Sequence, residues 1–153
     1  MDFVLDTNIL VYFVRNDEYI RQLESQFSLF SSNNSTFISI VSVGEIRSLA
    51  YQFGWGEGKL KRMNYFLRAL RPFPIDGDEI TAAYADIDAY SNGVHPTIHL
   101  PANTSARNMG KNDLWIAATT SLFNATLLTC DDDFSHLSPQ FFLLEKIKFE
   151  SIT

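Results

Sequence analysis

The 153-residue sequence predicts an α/β domain built on a parallel sheet. Three observations lead there. Short apolar or β-branched runs ("DFVL", "TFISIVS", "ATLLTC") alternate with longer segments of helical periodicity, which calls for crossover connections between parallel strands. Carboxylates stand where those runs stop. No internal repeat, low-complexity tract or linker divides the chain, so residues 1–153 read as one domain of ordinary size.

Taken in order, "DFVL" is a buried strand ending at Asp6, and Ile9, Leu10, Phe13 and Val14 follow it at helical spacing. Residues 18–31 repeat apolar groups at Ile20, Leu23, Phe27 and Phe30, an amphipathic helix. "SNNS" is a turn before the strand "TFISIVS", and "VGEIRSLAYQF" is helical. The glycines of "GWGEG" separate that helix from the basic amphipathic helix "KLKRMNYFLRAL". "RPFPI" is extended, because a proline disfavours helix at the residue before it. "DGDEITAAYADIDAY" is a helix with acids in its first turn, where the helix dipole favours them. Residues 91–111 lack periodicity and form a long loop. "NDLWIAATTSLF" is a helix capped by Asn112 or Asp113, "ATLLTC" a strand, and "EKIKFESI" a last strand.

Composition narrows the class. Apolar residues make up 46% and charged residues 20%, which excludes a disordered or fibrous chain. No run approaches the roughly 18 apolar residues of a membrane span, and "MDFVLDTNIL" lacks the basic start of a signal peptide. A single cysteine, Cys130, excludes a disulfide framework or a Cys-based zinc site and suits a reducing, cytoplasmic setting. The net charge of −6 argues against a generic nucleic-acid binder. Charge is uneven, however: Arg47 to Arg71 holds six of the twelve basic residues and one acid.

In open parallel sheets, ligands sit beyond the carboxyl ends of the strands. Asp6 ends the first strand, Glu45 lies early in the helix after the second, and Asp131 follows "ATLLTC". Asp113 opens the helix leading into that last run, on the same rim. Each has an ordinary reading: Asp6 and Asp113 as helix caps, Glu45 as a solvated helix acid, the triple Asp of "LLTCDDDF" as a turn. Their convergence at one end of one sheet outweighs those readings. Carboxylates about 4 Å apart repel by ~4 kcal/mol at an effective dielectric near 20, so they share protons or hold cations. All-oxygen donors favour hard ions such as Mg²⁺ or Mn²⁺. In an extended continuation Asp131 and Asp133 share a face and Asp132 points away.

Four motifs, "VLDTNIL", "SVGEI", "NDLWIAA" and "LLTCDDDF", resemble in order and spacing those of PIN-domain ribonucleases, most closely the VapC-type toxins of toxin–antitoxin pairs. The resemblance covers essentially the whole chain. It implies a PIN-like three-layer α/β/α sandwich with four to five mainly parallel strands. It also implies a metal-dependent endoribonuclease using one or two Mg²⁺ or Mn²⁺ ions, commonly a homodimer, inhibited by a small antitoxin protein. Carried over, Asp6, Glu45, Asp113 and Asp131 are the catalytic and metal-binding acids, with Asp133 a further metal candidate and Asn8 and Thr129 supporting polar groups. Lys111 and Arg47 are candidates for RNA contact. The loop of residues 91–111 is longer than in most such toxins, and loop extensions beside a site often set substrate or partner choice.

Other signals are discounted. His95 and His99 have helical metal-pair spacing, but Pro96 and Pro101 argue against a helix there. His136 is expected at the surface, and Cys130 buried rather than nucleophilic. A haloacid-dehalogenase-type phosphatase would need an acid where Asn8 stands, and a receiver domain an acid pair after its first strand. The rivals that stay open are an inactive PIN-like domain binding RNA or protein, and a PIN nuclease of RNA processing.

Overall fold

Five strands, β1 (Asp2–Leu5), β2 (Ser35–Ser39), β3 (Arg71–Phe73), β4 (Thr126–Thr129) and β5 (Leu143–Lys146), form one parallel sheet in the computed structural model, which describes residues 1–152. Their order is β3-β2-β1-β4-β5. The chain thus moves outward from β1 through β2 to β3, then returns to the other side of β1 for β4. The carboxyl ends of β1 and β4 flank the point of reversal, where an open sheet leaves a crevice.

Alternation along the strands explains the layers. Phe3 and Leu5 of β1 and Leu128 of β4 face a core formed with α1 (Thr7–Arg15), α2 (Asp17–Phe27), α3 (Ile40–Gln52) and α4 (Glu57–Ala69). Val4 and Leu127 face the opposite core, shared with α5 (Asp78–Ser91) and α6 (Lys111–Leu122). Helices on both faces of a parallel sheet give the expected three-layer sandwich.

Four expectations about element ends need correction, each for a local reason. The helix expected over 18–31 stops at Phe27, because Ser28 takes a left-handed conformation (φ 51°) and Asn34 donates to the carbonyls of Phe27 and Ser28. The strand "TFISIVS" ends at Ser39, whose side chain accepts from Val41 N (3.3 Å); this cap draws the β-branched Ile40 and Val41 into α3. Neither Asn112 nor Asp113 caps α6. Gly110 occupies that position without a side-chain bond, and Asp113 lies within the first turn. The last strand is Leu143–Lys146 rather than 145–152, since β5 pairs only as far as β4 extends, in register from Thr126↔Leu143 to Thr129↔Lys146.

The long loop is ordered by its own polar groups. His95 is buried, its Nδ1 accepting from Thr97 N (3.2 Å) and Ile98 N (3.0 Å), while His99 is exposed. The two histidines therefore do not form a metal pair. His136 also departs from expectation: it is half-buried, with Nε2 2.8 Å from Ser91 Oγ. Among the described residues, no helix is long and apolar enough to cross a membrane.

Candidate active site at the carboxyl rim of the sheet

β1 ends one residue before a helix begins, and Asp6 occupies that junction. Its backbone N–H still pairs with Leu128 O (3.0 Å) of β4, while its side chain caps α1 by accepting from Thr7 N (2.7 Å). The capping reading of Asp6 is thus correct, yet it uses only one carboxylate oxygen. The other, Oδ2, accepts from Thr129 Oγ1 (2.6 Å) and Asn8 Nδ2 (2.9 Å). Asp6 is only 4% exposed.

Asn8 links β1's end to β4's end. Its Nδ2 also lies 3.0 Å from Asp131 Oδ2, and its Oδ1 accepts from Cys130 N (3.2 Å). Thr129 Oγ1 in turn accepts from Asp131 N (3.1 Å). The run after β4 therefore turns around Asn8 and Thr129, carrying the Asp131 carboxylate to the crevice. Glu45, on α3, is held from the far side by Thr7 Oγ1 (2.8 Å). Thr7 was not singled out by the sequence, although its place beside a strand-end Asp is the signal that would have found it.

A cavity of about 370 Å³ is lined by Asp6, Glu45, Asp113 and Asp131 together with Thr7 and Asn8. Its other wall is the outer face of α1, with Val11, Tyr12 and Arg15. Two further hollows share residues with it: one of about 490 Å³ meets it at Glu45 and Leu49, and one of about 290 Å³ meets it at Asp113. Asp133 lines the latter with Arg107, not the central cavity. Asp132 points away and pairs with Lys146.

Two of the acids are electrostatically frustrated. Burial pushes Asp6 up to about 7, against the lowering effect of the Thr129 and Thr7 hydrogen bonds, and Asp113 and Asp131 push it the same way as burial. Burial, then the charges of Asp133, Glu45 and Asp131, push Asp113 up to about 6. Burial and the neighbouring acids Asp131 and Asp6 raise Cys130 to about 11, so it stays a thiol at neutral pH. A region that disfavours its own negative charge favours a proton or a cation there. The donors are all oxygen, which in kind fits a hard divalent ion. Among the described residues, no three His, Cys, Asp or Glu side chains are gathered into a finished ligand cage.

Arg47 does not line this cavity; it borders a separate hollow of about 500 Å³ with Tyr51, Trp55 and Met63. Lys111 is exposed at the start of α6. Arg107, inside the long loop, was not anticipated. Its guanidinium donates to the carbonyls of Asp132 (3.2 Å) and Asp133 (3.1 Å), and the Arg107 backbone N–H to Ser91 O (2.7 Å), so it ties the loop to the triple-Asp segment.

Comparison with known proteins agrees with this architecture. The model of the PIN domain matches residues 3–138. The chain is similar to a structure of VapBC2 from Rickettsia felis bound to a DNA fragment from their promoter, with 25% identity, 95% of this chain and 98% of that chain covered, and a TM-score of 0.70. It is also similar in fold to VapBC-1 from nontypeable Haemophilus influenzae (23% identity, 95% and 98% covered, TM-score 0.68). A third similar fold is VapBC-5 from Mycobacterium tuberculosis, a member of the VapBC family of toxin–antitoxin systems (20% identity, 97% and 98% covered, TM-score 0.58). No curated protein matches the chain by sequence.

Proposed function

The chain belongs to the PIN domain family, and on that premise we propose that it is a Mg²⁺- or Mn²⁺-dependent endoribonuclease, the toxin of a toxin–antitoxin pair. Residues 1–153 would act as a single PIN domain in the cytoplasm, paired as a homodimer and inhibited by a small antitoxin. The observation that carries the reading is the cavity where Asp6, Glu45, Asp113 and Asp131 meet, although they come from four separate stretches of chain. The structural relatives named in VapBC complexes support the antitoxin partner. Exposed aromatic groups on α3 and α4, Tyr51 and Tyr65, are apolar surface of the kind that partners cover.

Asp6, Asp113, Asp131 and Glu45 would hold the ion or ions, with Asp133 reaching them from the adjoining hollow. A divalent cation bound there supplies an acidified water as nucleophile and offsets charge on the leaving oxygen. The chain's own groups set the geometry. Asn8 and Thr129 fix Asp6 and Asp131 relative to each other, and Thr7 fixes Glu45. In the hydrolysis, the water oxygen bonds to phosphorus as the ester P–O bond breaks. A rim carboxylate would take the water's proton, and the departing ribose oxygen would take one from solvent, to which the carboxyl then returns its own. The hollows that meet the cavity at Glu45 and Asp113 would take the RNA strand on either side of the scissile phosphate.

The test is cleavage of single-stranded RNA by the purified protein with Mg²⁺ or Mn²⁺, beside Asp6→Asn and an EDTA control. We expect loss of cleavage in both controls. Undiminished cleavage by Asp6→Asn would reject the assignment of the acids, and full activity in EDTA would reject the metal.

A further inference from the structure

We propose that Arg15, carried on the ring of Tyr12, is the phosphate-binding residue of the acidic cavity, taking a non-scissile phosphate of the RNA strand next to the one cut. This rests on the ribonuclease reading above. A polyanionic substrate must enter a cavity that presents four carboxylates, and among the described residues Arg15 is its one cationic lining residue.

Helix α1 explains how a cation comes to stand there. Asn8, Val11, Tyr12 and Arg15 lie at i, i+3, i+4 and i+7, so one helix face runs from the acid network to the arginine. At 1.5 Å per residue, Arg15 starts about 10 Å along the axis from Asn8. Helical side chains lean toward the N-terminus, which returns the guanidinium toward the acids and over Tyr12. Its Cζ lies 5.4 Å from the Tyr12 ring centroid.

The arginine is both held and unspent. Tyr12 packs against both Tyr19 (centroids 4.8 Å) and Phe149 (4.4 Å), which also touch each other (5.0 Å). Phe149 is secured because Glu150 N donates to Gln22 Oε1 (3.0 Å) and Gln22 Nε2 to Glu150 O (3.4 Å). The tail thus braces the platform under Arg15, and Tyr12 acts as a positioning residue. Nearby Arg21 and Arg62 are paired with Glu18 and Asp17. No carboxylate among the described residues pairs with Arg15. Its guanidinium fork matches phosphate geometry.

The test combines protein and substrate changes. Cleavage and binding of a short fluorescent single-stranded RNA are measured for wild type, Arg15→Gln, Arg15→Lys and Tyr12→Leu, with melting curves to verify folding. The substrates carry one neutral methylphosphonate at each position in turn. Arg15→Gln is expected to raise KM by about ten- to a hundredfold, the range for losing a charge-assisted contact, with kcat nearly unchanged. Its binding should lose about one unit of log–log salt slope, which Arg15→Lys retains. Tyr12→Leu should raise KM by a smaller factor while keeping that slope, since the charge remains. One methylphosphonate beside the cut should impair wild type and leave Arg15→Gln no worse. Unchanged KM and slope in Arg15→Gln, or an equal methylphosphonate penalty in both proteins at every position, would overturn the proposal while leaving the ribonuclease reading intact. If wild type binds but does not cleave, that reading fails and the slopes still decide Arg15; if it does neither, both fall.

Discussion

Above about pH 5, Asp6→Asn should make the metal-free protein more stable, and increasingly so as pH rises. Burial raises the Asp6 carboxyl from 3.8 to about 7 in the folded state. Between those values the folded protein keeps a proton that the unfolded chain has released, so stability falls as pH rises through the window. The penalty is absent below about pH 4 and complete above about pH 7, where it reaches about 4 kcal/mol. Asparagine removes it but fits the hydrogen bonds less well. Its amide nitrogen, placed where Oδ2 accepts from Thr129 and Asn8, would face donors, at a cost of about 1–2 kcal/mol that does not vary with pH. The two terms nearly cancel at about pH 5, leaving the proteins nearly equal, and at about pH 8 they leave the variant about 2–3 kcal/mol ahead, a rise of about 4–12 °C in Tm. Urea unfolding in EDTA at both pH values measures this directly. Adding Mg²⁺ or Mn²⁺ should then stabilise wild type and not the variant. A wild-type-to-variant gap that is the same at both pH values, or that moves in favour of wild type as pH rises, would refute the claim that Asp6 is held against its charge.

Thr129→Val removes the donor to Asp6 Oδ2 and the acceptor for Asp131 N. It should cost about 1–3 kcal/mol of stability and raise the apparent Asp6 pKa further, read by urea titration and by NMR of the carboxyl carbons. Arg107→Ala frees the Asp132 and Asp133 carbonyls. Hydrogen exchange should quicken in residues 131–134 with little change in Tm; unchanged exchange would show that the loop does not brace the segment. His136 has the opposite pH dependence to Asp6. Burial holds it down to about 4, from 6.5, so its contribution is present above about pH 6.5 and is lost as pH falls through that window toward 4. His136→Gln should flatten the acid limb of the stability curve, checked by thermal melts between about pH 4 and pH 7.

Much of this molecule is local and so can be read along the chain. Alternation in "DFVL" and "ATLLTC", amphipathic spacing and acids at strand ends depend on near neighbours, and they indicate the sheet, the helices and the rim on which Asp6, Glu45, Asp113 and Asp131 stand. Element ends were less legible because single caps and pairing limits decide them: Ser39 converts Ile40 and Val41 to helix, and β4 limits β5. The resemblance to PIN domains singled out four of the acids as candidates, since an isolated Asp cap or turn has no distinguishing local pattern.

Sequence alone thus determined an α/β domain with a set of carboxylates at one edge. Only the tertiary structure decided how those carboxylates are held and charged. Asn8 reaches Asp131 across 123 positions, Thr129 reaches Asp6 across the same separation, and Thr7 reaches Glu45 across 38. Desolvation depends on what closes over a group, not on its neighbours in the chain, and so does the charge around it. That is why Asp6 is frustrated while Asp132, the same residue type, lies exposed and paired with Lys146, and why Arg15 could be recognised as the cation facing the acids only once α1 was laid along their cavity.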